Sequence, residues 1–394
     1  MRIYLDHNAT TPMRPEVLEA MRPYLEARFG NANSIHAWGR EAKRALEEAR
    51  GVTASALGAR DKESIVFVSS GTEADNLALK GSAWAARGRG RHIVTSAVEH
   101  HAVFNACRSL EEQGFEITYL PVDCEGLLDP ETVMRSLRTD TSVISLMHAN
   151  NETGVVFPIA EVGQLTRQRG IVFHTDAVQT FGRLPIDIES LGVDLLSLSG
   201  HKIYGPKGIG ALYVRPGTKM VPCMHGGQQE RGRRAGTENV AAAVGLARAT
   251  ELSVASMQLE AERLRSLRDR LERGILSRVE GARRNGHRDR RLTNTSNISF
   301  HGADVESLIL ALDLEGIAVA AGAACTSGSL EPSHVLHAMG RRPEIDGGAL
   351  RFSLGAGTTE AEIERVVDLL PTVVERIRAA AGSAGHPEPA LAYR

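Results

Sequence analysis

Cysteine is scarce in this chain: four residues in 394, with no two spaced as a metal-binding or redox pair would be. That excludes a disulfide framework and a CxxC zinc site. Charge of one sign is also missing. A formal net charge of −2 leaves no basic excess for a nucleic-acid surface, so no nucleic acid is expected as a partner. No run of 18 or more uninterrupted apolar residues occurs, and no membrane-spanning helix is expected. The first residues, Met1 to Asp6, lack the basic-then-apolar pattern of an export signal, which with the unpaired cysteines reads as cytoplasmic. There is no internal repeat and no low-complexity tract. What remains is 42% hydrophobic and 24% charged, an ordinary globular composition long enough for a large domain and a smaller one.

Apolar runs of four to six residues alternate with helix-length spacers. Ile65–Val68, His92–Thr95, Glu116–Leu120, Val143–Leu146, Ile171–Phe173 and Asp194–Leu198 read as strands. Pro15–Tyr24, Arg40–Leu57 and Glu73–Ala86 carry helical periodicity. This alternation predicts an α/β fold with a mainly parallel, doubly covered sheet. A charged amphipathic stretch, Ser253–Arg278, reads as a helix joining the large domain to a smaller α+β unit, which holds Asn297–Phe300 and Ile317–Val319. The expected division is 13–255 for the large domain, 1–12 with 256–382 for the small one, and a frayed tail at 383–394.

Two strand ends carry chemistry. Val193–Leu198 runs into Ser199-Gly200-His201-Lys202, and a lysine held where a buried strand ends suits a Schiff base, because partial desolvation frees its lone pair. Ile171–Phe173 runs into His174-Thr175-Asp176 some 26 residues before Lys202. An aspartate at the mouth of a parallel sheet can pair with a protonated pyridine nitrogen, as pyridoxal phosphate requires. Alone, Lys202 reads as a solvated loop lysine and Asp176 as a helix N-cap; together they point to the cofactor. Gly71-Thr72 follows a strand and opens a helix, where backbone amides make an anion site. The plainer role for Thr72 is an N-cap. Cys107 lies in a helical pattern as a small core residue. Cys325 sits among small residues, Ala321 to Ser329, in a segment suited to carrying a thiol toward a substrate. His334 and His337 lie three apart, but no partner ligand accompanies them at a suitable spacing for a metal.

Ordered blocks run along nearly the whole chain: Tyr4 to Pro12, Gly71 to Asn76, Glu99-His100, Asn150 to Gly154, Arg233 to Asn239, Cys325 to Val335 and Arg351 to Gly355. On these blocks the chain resembles the class V aminotransferase fold (fold type I, a large seven-stranded-type domain plus a smaller α+β domain), and within it the cysteine desulfurases. The Arg233 to Asn239 form resembles the nitrogen-fixation branch.

The resemblance implies that Lys202 binds pyridoxal 5′-phosphate covalently and that His100 stacks on its ring and shuttles protons. Asp176 would pair with the ring nitrogen, and Gln179 would bond the phenolic oxygen. Gly71, Thr72, Ser199 and His201 would hold the phosphate, with Thr237 reaching the phosphate of the other subunit of a homodimer. Asn151 and Arg351 would grip the carboxylate of L-cysteine. Cys325 would take the sulfur as a persulfide, leaving L-alanine, and pass it to an iron–sulfur scaffold, nitrogenase-directed on the Arg233 to Asn239 block. The implied metal role is confined to Cys325 as a transient iron–sulfur ligand. Ala323 departs from a position where the family often carries serine. A selenocysteine lyase or an aminotransferase of the same fold is the first rival: a transaminase has no need of Cys325, and rates with both amino acids separate the lyase. A sulfur-carrier scaffold without catalysis is the second, and Lys202, Asp176 and His100 argue against it.

Overall fold

The computed structural model describes residues 2–322 and 333–383. Its strands in chain order are β1 Ile3–Tyr4, β2 Ile65–Val68, β3 His92–Ser96, β4 Glu116–Leu120, β5 Thr141–Met147, β6 Val172–Asp176, β7 Leu195–Ser199, β8 Gly210–Val214, β9 Ala282–Asn285, β10 Thr295–Phe300, β11 Ile317–Ala318 and β12 Gly348–Ser353. Seven form one sheet in the order β2-β8-β7-β6-β5-β3-β4. Strands β4, β3, β5, β6 and β7 pair in parallel, while β8 is antiparallel to both β7 and β2. Two reversals cancel, so β2 points the same way as β7, and only β8 opposes the rest. Strands β2, β3, β5, β7 and β8 are buried along their whole length. Burial on both faces is why they read as continuous apolar runs rather than alternating ones.

The α/β architecture follows the sequence pattern, with two differences. Strand β8 was not among the expected strands; its Gly210-Ala211-Leu212-Tyr213-Val214 is short and follows a glycine-rich turn that hides the period. The long helix begins at Val240 rather than Ser253 and runs to Arg278. Its first turns, Val240 to Ala249, pack into the core around the large sheet, and Leu264 to Ile275 pack into a second core. Of the most apolar 18-residue stretch of this helix, 56% is buried inside the fold, while Val254 and Leu259 are exposed.

The second core gathers Ile3, Leu5, Ile298, Phe300, Leu350, Phe352 and Ile363 around a three-stranded antiparallel sheet, β12-β10-β9. The amino-terminal segment ties the two regions together. Leu5 N donates to Ala318 O at 2.9 Å and Ser353 N to Leu5 O at 2.8 Å, and six residues on Thr11 N donates to His201 O at 3.0 Å, just past β7. The tail expected at 383–394 lies, beyond residue 383, outside the described residues.

Candidate active site

A cleft of about 680 Å³ opens where β5, β6 and β7 end and where β2 and β3 hand over to their helices; Gly71, Thr72, His100, Asn151, Asp176, Gln179, Ser199, His201 and Lys202 all line it. This is the carboxyl edge of an open α/β sheet, where the fold leaves a crevice. Nine residues scattered over 132 positions of sequence therefore converge because each follows a strand with the same direction.

The helix Gly71–Ala86 is capped by Ser70, whose Oγ accepts from Glu73 N at 3.1 Å. Thr72 is therefore not the cap, contrary to its plainer sequence reading. It stands with Gly71 at the first two helical positions, whose N–H groups have no acceptor within the helix. A side chain at Gly71 would put its Cβ 2.7 Å from Val178 Cγ2, so only glycine lets the helix start lie against the cavity wall. Ser199 Oγ, at the end of β7, is buried and has no hydrogen-bond partner among the described residues.

Lys202 follows in a short helical turn, Gly200–Lys202. Its Nζ donates to Asn8 O at 2.5 Å and Ala9 O at 2.7 Å, carbonyls delivered by the amino-terminal segment. The turn after it holds Tyr204 at φ 64, a left-handed conformation costly for a tyrosine. Thr11 Oγ1, accepting from Tyr204 N at 2.8 Å, and Tyr204 Oη, accepting from Ala356 N at 2.7 Å, hold it there. His201 Nδ1 lies 3.1 Å from Thr10 Oγ1.

The floor is unusually rich in buried acid. Asp176 accepts from Val178 N at 2.8 Å, and burial lifts its carboxyl to about 6 despite that bond and the Lys202 cation. Asp75, on the cavity wall, is pushed well above the carboxylate range by burial and then by the Asp176 charge. Behind them His174 is fully buried, with Nδ1 2.8 Å from Ser145 Oγ and Nε2 2.9 Å from Ser197 Oγ; burial lowers it to about 3, so it is neutral. Glu99 accepts from Ser96 Oγ at 2.6 Å and Met147 N at 3.0 Å, and burial raises it to about 8. His100 is lowered to about 4 by burial and then by the Lys202 charge. Its Nδ1 accepts from Ala102 N at 3.1 Å, so the neutral ring carries its proton on Nε2.

Gln179 bonds Asn8 O through Nε2 at 3.0 Å, and its Oε1 accepts from Arg183 at 2.7 Å. Arg351 does not line the cleft. Its guanidinium donates to Asp6 Oδ1 at 2.7 Å and Asn151 O at 3.1 Å, and its Nε is buried without a partner among the described residues. Thr237 lies elsewhere, exposed in a separate cavity with Glu230, Arg234 and Asn239. Cys325, with Ala323, falls outside the described residues. Cys107 is fully buried, as expected of a core residue. His334 is spent on the Glu99 carbonyl, 2.9 Å from its Nε2.

Sequence reading missed Asp75 and the carbonyls of Asn8 and Ala9. Asp75 stood inside a quoted block, Gly71 to Asn76, and its spacing of three from Thr72 places both on one helix face; that was the available signal.

The residues fit pyridoxal phosphate. Two helix-start amides and an orphaned serine hydroxyl make an anion cradle, an amine stands where it can react with an aldehyde, and a buried carboxyl can meet a ring nitrogen.

A family model described as Aminotransferase class-V matches residues 3–366. A "Cysteine desulfurase IscS" of Dictyoglomus turgidum is 52% identical over 376 residues, covering 95% of each chain. Among solved structures, one titled "NIFS-LIKE PROTEIN" superposes with a TM-score of 0.89 at 37% identity, covering 95% of this chain and 100% of that one. Another, titled "SspA in complex with cysteine", gives 0.79 at 36% identity over 90% and 99%.

Proposed function

This chain belongs to the class-V aminotransferase family, and on that premise we propose that it is a pyridoxal phosphate-dependent cysteine desulfurase, converting L-cysteine to L-alanine and leaving the sulfur on Cys325. The observation that carries this reading is the convergence of Lys202, Asp176, His100, Ser199 and the Gly71–Thr72 helix start on one cleft.

When bound, pyridoxal phosphate supplies an electron sink next to the substrate's α-carbon. The chain's own residues do the rest. Gly71, Thr72, Ser199 and His201 bind the phosphate, and the raised, desolvated Asp176 holds the ring-nitrogen proton. Lys202 carries the reactive amine, positioned by the Asn8 and Ala9 carbonyls. His100 moves protons at Nε2. Asn151 and Arg351 orient the substrate carboxylate, Arg351 exchanging its Asp6 contact for that anion. The Cys325 thiolate attacks the substrate sulfur. The Cβ–S bond breaks, its electron pair stays on carbon, and the carbon takes up a proton; the sulfur stays on Cys325 as a persulfide.

Finer features of the reading have separate support. Ile35, Phe29 and Trp38 are 90%, 75% and 57% exposed, an apolar surface suited to a second copy. Thr237, which does not line its own chain's cleft, would then serve the partner's phosphate. The proposed sulfur acceptor is an iron–sulfur scaffold, nitrogenase-directed on the Arg233 to Asn239 block, and the proposed compartment is the cytoplasm.

The test uses two variants. Cys325→Ala should keep the yellow cofactor band and its shift on adding cysteine, yet lose sulfide and alanine production. Lys202→Ala should show no borohydride-reducible link to the cofactor and lose about three orders of magnitude in rate. A fully active Cys325→Ala protein would remove the thiol from the mechanism.

A further inference from the structure

Arg183, half-buried beside the cleft, stands apart from the buried arginines. Arg50 faces Glu230 at 2.6 Å, Arg291 faces Glu272 at 2.7 Å and Arg351 faces Asp6 at 2.7 Å. Arg183 instead donates to three uncharged acceptors: Gln179 Oε1 at 2.7 Å, Gln179 O at 3.0 Å and Lys202 O at 3.3 Å. Among the described residues no carboxylate lies within ion-pair distance of it. Burial pulls its basicity below the ordinary arginine value, with Tyr204 opposing and Arg351 reinforcing that change. A guanidinium in this setting stays charged, and a cation partly withdrawn from water without a counter-ion is costly.

The geometry also fixes a neighbour. A guanidinium only donates, so the Gln179 atom facing it must be the oxygen. The Gln179 amide nitrogen is thereby turned toward Asn8 O, 3.0 Å away, the same carbonyl that takes Lys202 Nζ at 2.5 Å. Its second N–H is left for the cleft that Gln179 lines. The other charged or titratable groups facing Arg183 are His7, Tyr204 and Arg351, with Arg14 and Glu260 across an adjoining cavity.

We propose that Arg183 is a positioning residue, which presents the Gln179 N–H to the cofactor's phenolic oxygen and supplies the positive charge that this oxygen balances. The inference rests on the cleft being the pyridoxal phosphate site. A positive charge behind that oxygen disfavours a proton on the neighbouring Lys202 nitrogen, so losing it should make that proton harder to remove.

The experiment titrates the visible band of the purified, cofactor-loaded enzyme against pH without substrate, and then measures kcat and KM for cysteine. Arg183→Met should move the midpoint up by about one pH unit, with kcat down roughly tenfold and KM within about twofold, as expected when only steps after binding are affected. Arg183→Lys should restore the midpoint to within a few tenths. Arg183→Gln, neutral but polar, should match Arg183→Met and replaces it should that protein not fold. An unmoved midpoint in the neutral variants, with Gln179→Leu moved, overturns the inference alone. An unmoved midpoint in Gln179→Leu overturns the placement of Gln179 and the inference with it. A wild-type protein with no visible band overturns the proposed function itself.

Discussion

Two parts of this molecule bury acid, and they do so in opposite ways. In the second core, Glu272 is desolvated, but Arg291 at 2.7 Å, Arg284 at 3.0 Å and Ser296 Oγ at 2.9 Å more than offset that, and its pKa falls below the ordinary value. Around it the buried Asn285 amide donates to Asn297 Oδ1 and Ser299 Oγ, both at 2.8 Å. At the cleft floor, Asp75, Glu99 and Asp176 meet no such arginine among the described residues and are all raised; Asp75 Oδ1 has only the neutral His174 ring at 3.6 Å, and Ser199 Oγ has no hydrogen-bond partner among those residues. Buried polar atoms are ordinarily satisfied. Both regions keep some buried polar atoms without a partner among the described residues, so the difference lies in the acids: one met by cations supports the fold, whereas acids left raised in a cleft are built for something that arrives later.

The sharpest way to break that contrast is to cut the paired side. Glu272→Ala leaves Arg291 buried without its partner and should cost about 3–5 kcal/mol of stability, read as a lower denaturation midpoint, while the cofactor band of the folded fraction stays unchanged. A stability within 1 kcal/mol of wild type would show the network to be idle.

Ser199→Ala should behave conversely. Removing an orphaned hydroxyl should leave the cofactor-free protein as stable or slightly more so, yet weaken cofactor binding by about 1.5–3 kcal/mol, the worth of a hydrogen bond to a charged group. Equal affinities in a cofactor titration would take Ser199 out of the cradle.

The effect that is smallest per step measured concerns pH. Glu99 is raised from 4.5 to about 8, so it keeps its proton in the fold where the unfolded chain would have lost it. Its stability contribution is whole below 4.5, declines as pH rises toward about 8 and levels off beyond. Glu99→Gln should flatten that decline in cofactor-free protein by at most about 1.4 kcal/mol per pH unit. Parallel melting curves for the two proteins between those limits would show that Glu99 is not the group responsible.

The strands and the two strand-end residues were readable because local pattern encodes them. Asp176 and Lys202 each terminate an apolar run, and direction along the sheet does the gathering. Three features were not readable, for physical reasons. The antiparallel β8 differs from its neighbours only in pairing, which no period reveals. Asp75 shares a helix face with Thr72 by spacing, but the sequence does not say that this face meets Asp176. The Asn8 and Ala9 contacts to Lys202 are backbone carbonyls arriving from 194 and 193 residues away, and carbonyls leave no mark in a sequence. Thr237 carries a motif without a local destination: its own chain does not bring it to the cleft.

That amino-terminal strap has a consequence for biosynthesis. Asp6 waits for Arg351, 345 residues downstream, and Asn8 N for Ser353 Oγ at the same separation. Such distant closures are slow and come late. A nascent polypeptide on the ribosome can assemble the large sheet well before its reactive amine is properly seated, so vitamin capture should become competent only once Arg351 and Ser353 have been made and have docked.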